Sequence, residues 1–116
     1  MALTPSEIET YGLYLADLGP MPGRDLRHVL PVVVVSREEM NAALDTVVVC
    51  PLAEALRPSL SWRSRIVIRV AGKEHGIAVD QIRTLRADRL VRRTGQLTKR
   101  DAAELRRLIC EMYGTE

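Results

Sequence analysis

Apolar residues in this chain fall into short runs, most of which carry the signature of strands. Val29 to Val35 and Thr46 to Leu52 are rich in β-branched residues and do not alternate with polar ones, the pattern of strands covered on both faces. Leu13 to Leu18 predicts a strand before them. Arg65 to Val70 leads through Ala71-Gly72-Lys73-Glu74 into His75 to Val79, which predicts a hairpin, with Asp80 to Leu85 extending its second strand. Arg86 to Arg89 then makes a single turn, and Leu90 to Leu97 one more strand.

Helical spacing is clearest at the C-terminal end. Thr98-Lys99-Arg100-Asp101 opens a helix in a capping-box-like pattern, and Ala102, Leu105, Leu108, Ile109 and Met112 fall on one of its faces. Arg106, Arg107 and Glu111 point elsewhere. Ser36-Arg37-Glu38-Glu39 also matches a capping box, so Ser36 to Leu44 is expected to hold one or two helical turns, and Thr4-Pro5-Ser6-Glu7 reads as another helix start. Gly19-Pro20-Met21-Pro22-Gly23 signals a turn and loop, which the polar Arg24 to His28 extends. Several strands and one terminal helix predict a mainly β domain, a small twisted sheet or partly open barrel with short surface helices.

The length of 116 residues fits a single domain, 1–116, with one modest core and no internal repeat. With no Phe, one Trp and three Tyr, the core is filled by Val, Leu, Ile and Ala, which argues against an aromatic platform for stacking bases. No apolar run is long enough to span a bilayer and no basic-then-apolar leader is visible, so the expected compartment is the cytoplasm, without membrane contact. Cys50 and Cys110 lack metal-type spacing and read as reduced structural thiols.

Charge is divided unevenly. Residues 1–56 hold three basic and eight acidic side chains, a net of −5, whereas 57–107 hold fourteen basic and five acidic, a net of +9. Fifteen of the seventeen basic residues are Arg, whose rigid donor fork matches phosphate and carboxylate. Such a surface suits RNA, DNA or an acidic peptide equally well.

The order Tyr11 to Leu18, a Gly-containing loop, Pro31-Val32-Val33-Val34-Val35-Ser36, Thr46 to Leu52, then Asp80-Gln81-Ile82-Arg83-Thr84 and Arg89-Leu90, resembles the MazF/PemK family of bacterial toxins from about residue 11 onward. The resemblance implies an SH3-like β-barrel, related in fold to the CcdB toxins, with a C-terminal helix and a twofold homodimer. It also implies a toxin of a type II toxin-antitoxin system, silenced by a cognate antitoxin with an acidic tail, which can act with it on operator DNA. Its activity would be metal-independent, sequence-selective cleavage of single-stranded RNA, an mRNA interferase with no cofactor and no metal.

That chemistry needs a base for the ribose 2′-hydroxyl, a donor to the leaving oxygen, and cations or N–H groups for the developing charge. The family supplies them from a Gly-x-Glu loop followed by Arg-Pro, and from a threonine after the third strand. Here Gly23-Arg24-Asp25 fits the loop, but Leu30 precedes Pro31 where the family has Arg, and Ala53 follows Leu52 where it has Thr. The candidate replacements are Arg27, His28 and Asp25: Arg27 to hold the phosphate, His28 for proton transfer near neutrality, and Asp25 as base or orienting group. Arg24, Gln81 and Glu54 complete the set as RNA-binding positions, Glu54 also as a substitute base. His75, beside Gly76 in the hairpin, reads as structural.

Two other readings stand beside this one. Loss of the usual Arg and Thr fits a CcdB-like toxin that acts by binding, for example to gyrase, although the ending Ile109 to Gly114 lacks that family's Trp-Gly-Ile terminus. The third is an inactive regulator that binds antitoxin and operator DNA through the basic half.

Overall fold

The computed structural model describes residues 3–4, 7–20, 27–53, 65–70 and 72–114; at 20, 27, 28, 53 and 65 it describes the backbone alone. Seven strands form one antiparallel sheet: β1 (Gly12–Pro20), β2 (Arg27–Val34), β3 (Thr46–Ala53), β4 (Arg65–Val70), β5 (Lys73–Ala78), β6 (Arg83–Arg86) and β7 (Leu90–Gln96). Helix α1 (Glu38–Ala43) links β2 to β3, and α2 (Lys99–Tyr113) follows β7. The order across the sheet is β4-β5-β3-β2-β1-β7, with β6 also paired to β3.

Strand β3 is the hub. It pairs with β2 from Val49 to Pro51; on its other edge it takes β6 at Thr46 to Val49 and β5 at Leu52 and Ala53. The neighbour changes because the chain between β5 and β6 folds into a tight 3-10 turn, Val79–Gln81. The expected continuous strand through Leu85 is therefore broken: buried Val79 anchors the turn, and the chain resumes as β6 farther along β3.

The curled sheet has an apolar cluster on each face. Tyr14, Ala16, Val32, Val34, Val47, Val49, Leu85 and Leu90 line its inner side together with Ile8. Leu13, Val33, Cys50 and Leu52 face the other way and are covered by Ile66, Ile68 and Ile77 of the β4-β5 hairpin and by Leu105 and Leu108 of α2. Alternate residues of β2 and β3 thus serve different cores, which is why their sequences do not alternate. The result is the SH3-like half-barrel with a C-terminal helix expected from the sequence.

Local signals were followed unevenly. Thr98 caps α2, its hydroxyl accepting the Asp101 N–H at 3.1 Å, and Ala102, Ile109 and Met112 pack with Leu105 and Leu108 against the core. Ser36 does not cap α1, whose N-cap is Arg37. Its hydroxyl instead accepts the Val48 N–H at 3.0 Å and donates to the buried Asn41, tying α1 to β3. At the N-terminal end the Glu7 carboxylate accepts the Thr4 N–H at 2.6 Å, but no α-helix follows: Ile8 and Glu9 are already non-helical. The hairpin is tighter than expected, since Val70 already pairs with Lys73; Gly72 takes φ +81°, which an L side chain resists. Arg27 and His28, expected in the loop, begin β2, where Arg27 pairs with Pro20 because the ladder runs on past a register shift after Asp17.

Candidate functional site

Three features meet at one end of the sheet, where β1 finishes, β2 begins and β3 finishes. Arg27 and His28 open β2 there. Val32 pairs with Pro51, and continuing that register by two residues sets Leu30 across from Ala53 on the facing strand. Leu30 is half-buried and packs against the inner core cluster, which leaves it no polar role. Arg24, Asp25 and Glu54 lie outside the described residues, and of Arg27 and His28 only the backbone position is given.

Gly19, next to last in β1, takes φ +89°, and its N–H is held by the Asp17 carboxylate at 2.9 Å. A Cβ on Gly19 would stand 3.6 Å from Nη1 of Arg89. Glycine is required here for its backbone angle, and the Arg89 guanidinium lies over it. Arg89 belongs to the 3-10 turn Ala87–Arg89 between β6 and β7. Together with Asp17, Arg86, Asp88 and Val91 it lines an open cleft of about 320 Å³. Arg86 is paired with Asp88 at 2.8 Å, both largely exposed, so that bond is weak and exchangeable. Arg89 has no ion-pair partner among the described residues.

Gln81 is exposed at the end of the Val79–Gln81 turn, opposite the middle of β3. It therefore lies to one side of the Leu30 and Ala53 positions, a few residues short of the end of β3. His75 pairs with Ile68 across the hairpin, and its Nδ1 is buried without a hydrogen-bond partner.

The arrangement brings together the backbone positions of Arg27, His28, Leu30 and Ala53 and adds a cation, Arg89, that was not among the sequence-derived site residues. No linear pattern connects Arg89 with Gly19; only the pairing of β7 with β1 does. The sole hint was the Gly19-Pro20 pair, read as a turn rather than as a backbone lying under an arginine. A guanidinium packed over the Gly19 backbone and lining an open cleft is suited to holding an anion such as a phosphate.

Comparison with known proteins accords with this geometry. No curated protein sequence matches the chain. Among solved structures, the Mycobacterium tuberculosis toxin MazF-mt6 has 18% identity and a TM-score of 0.72, covering 90% of this chain and 98% of that one. A MazE-MazF structure from Deinococcus radiodurans has 16% identity and a TM-score of 0.78, covering 93% and 96%. An endoribonuclease in complex with its cognate antitoxin, from a mycobacterial species, has 19% identity and a TM-score of 0.76, also covering 93% and 96%. At these identities the likeness is one of fold. Residues 9–113 match the family described as PemK-like, MazF-like toxin of type II toxin-antitoxin system, and the chain belongs to that family.

Proposed function

We propose that this toxin is a metal-independent endoribonuclease that cleaves single-stranded RNA from a rearranged site at the β1-β2 end of the barrel. The observation that carries the reading is Arg89 over Gly19, a cation without an ion-pair partner among the described residues, at the end of the strand that precedes Arg24 and Asp25 in the sequence. In this reading Arg89 and Arg27 grip the phosphate, His28 and Asp25 move the 2′ proton, and Arg24, Gln81 and Glu54 contact the RNA. Leu30 and Ala53 take no part, because neither can transfer a proton or stabilise an anion. Among the fold neighbours are a MazE-MazF pair and an endoribonuclease with its antitoxin, which supports a cognate antitoxin as the silencing partner; an acidic tail on it would suit the arginine-rich half of this chain. A homodimer, and operator binding through the antitoxin complex, belong to the same reading.

The test is incubation of the purified, antitoxin-free chain with long RNAs in EDTA, followed by mapping of fragment ends. Discrete cuts that disappear when Asp25, Arg27 and His28 are all replaced by Ala are the expected result. A second reading, toxicity by binding alone, is favoured by the burial of Leu30 against the core. It would be adopted if the folded protein stopped growth yet made no cuts.

A further inference from the structure

The end of α2 reaches back to the turn that carries Gln81. The Tyr113 hydroxyl donates to the Val79 carbonyl at 2.7 Å, and the same carbonyl accepts the Ile82 N–H at 3.3 Å, the bond that closes the 3-10 turn. Val79 is wholly buried and Ile82 partly so, both packed in the cluster that α2 covers with Leu105 and Leu108. Asp80 and Gln81 are left exposed on the crest of the turn. Tyr113 is itself 49% exposed, so its contribution to the core is small and its one described polar contact is with this turn. The turn also sits where β3 exchanges one neighbour for another, so it has no continuous strand partner to hold it.

We propose that Tyr113 is a positioning residue: it fastens the last turn of α2 to the Val79–Gln81 turn and so fixes the direction in which Gln81 is presented to RNA. The proposal rests on the reading of Gln81 as an RNA contact. Removing the hydroxyl leaves the ring and the helix in place but releases one of the two bonds on the Val79 carbonyl. The turn is then free to open while the barrel stays closed.

The experiment compares the full chain with Tyr113→Phe, Gln81→Ala and the double variant, by amide hydrogen exchange and by binding to a labelled, mixed-sequence single-stranded RNA in EDTA. In Tyr113→Phe the Ile82 amide should exchange roughly two- to tenfold faster, the scale of one neutral hydrogen bond. RNA binding should weaken in Tyr113→Phe, and no further loss should follow when Gln81 is already Ala. Unchanged exchange at Ile82 overturns the fastening itself. Equal losses on the wild-type and Gln81→Ala backgrounds overturn the link to Gln81, since a general structural effect would be additive. If Gln81→Ala binds RNA as well as wild type while exchange in Tyr113→Phe is faster, the RNA role of Gln81 falls and the positioning role falls with it, but the endoribonuclease reading, which rests on Arg89 over Gly19, does not.

Discussion

Cys50 illustrates how far a side chain's chemistry is set by where its strand places it. It lies on the face of β3 packed against the hairpin and α2, and burial, with Asp80 as a lesser negative neighbour, pushes its thiol up to about 12. A folded-state pKa above the unfolded one means that the stabilising contribution is whole below about pH 9 and is lost as pH rises towards 12. Thermal stability should therefore hold through neutral pH and begin to fall near pH 9. Buried Tyr14, whose hydroxyl is also shifted upward by desolvation, adds a further fall above about pH 10. Cys50→Ala should give a lower but flatter curve between pH 9 and 10, and a variant curve that fell in parallel with wild type would remove Cys50 as the cause. The sequence already marked Cys50 as a structural thiol within an apolar run; the burial that disarms it requires both covering layers.

At the scale of elements, two capping signals of similar appearance had opposite outcomes. Thr98 bonds the third residue of its helix, whereas Ser36 is drawn into a buried network with Asn41 and Val48. Thr98→Ala should cost about 1 kcal/mol, the ordinary value of a lost cap. Ser36→Ala should cost more, about 1–3 kcal/mol, because it leaves the Val48 N–H and the Asn41 Oδ1 without their partner. Denaturant melts of the two variants check the order, and a larger loss from Thr98→Ala would contradict it. The same contrast explains what was legible beforehand. The Val-rich runs of β2 and β3 and the apolar face of α2 are local patterns, and each became the expected element. The break at Val79–Gln81, the start of β2 at Arg27 and the diversion of Ser36 are decided by strands elsewhere in the chain. The proposed site divides likewise: Arg27, His28 and Asp25 are candidates the sequence offers by their residue types, but Arg89 over Gly19 depends on β7 lying beside β1.

For the whole molecule, the basic half resolves into ion-paired and unpaired arginines. Arg69, Arg86, Arg93 and Arg107 face carboxylates, while Arg83, Arg89, Arg92, Arg100 and Arg106 have no ion-pair partner among the described residues. The first three lie on β6, β7 and the turn between them and the other two on α2, so Arg89 belongs to one local source of positive field on the β6-β7 segment. RNA affinity should accordingly fall with added salt. Arg89→Gln should weaken binding and make the slope of log affinity against log salt shallower by about 0.7, the share of one phosphate contact on a single strand. An unchanged slope would place Arg89 outside the RNA path. The loss should be similar for RNAs of different sequence, since a phosphate contact carries no base information.

The late position of β7 in the chain also bears on synthesis. Strand β1 forms early but obtains its second neighbour only from β7, and α2, which covers one of the two cores, comes later still. A growing chain that has not passed Leu90 carries the valine runs of β2 and β3 with neither face sealed, a state inclined to stick to other chains. The barrel therefore cannot close piece by piece as it leaves the ribosome. The cleft at Arg89 comes into being only once β7 has been made and has docked beside β1, so a chain halted before Leu90 carries the valine runs without the cation site.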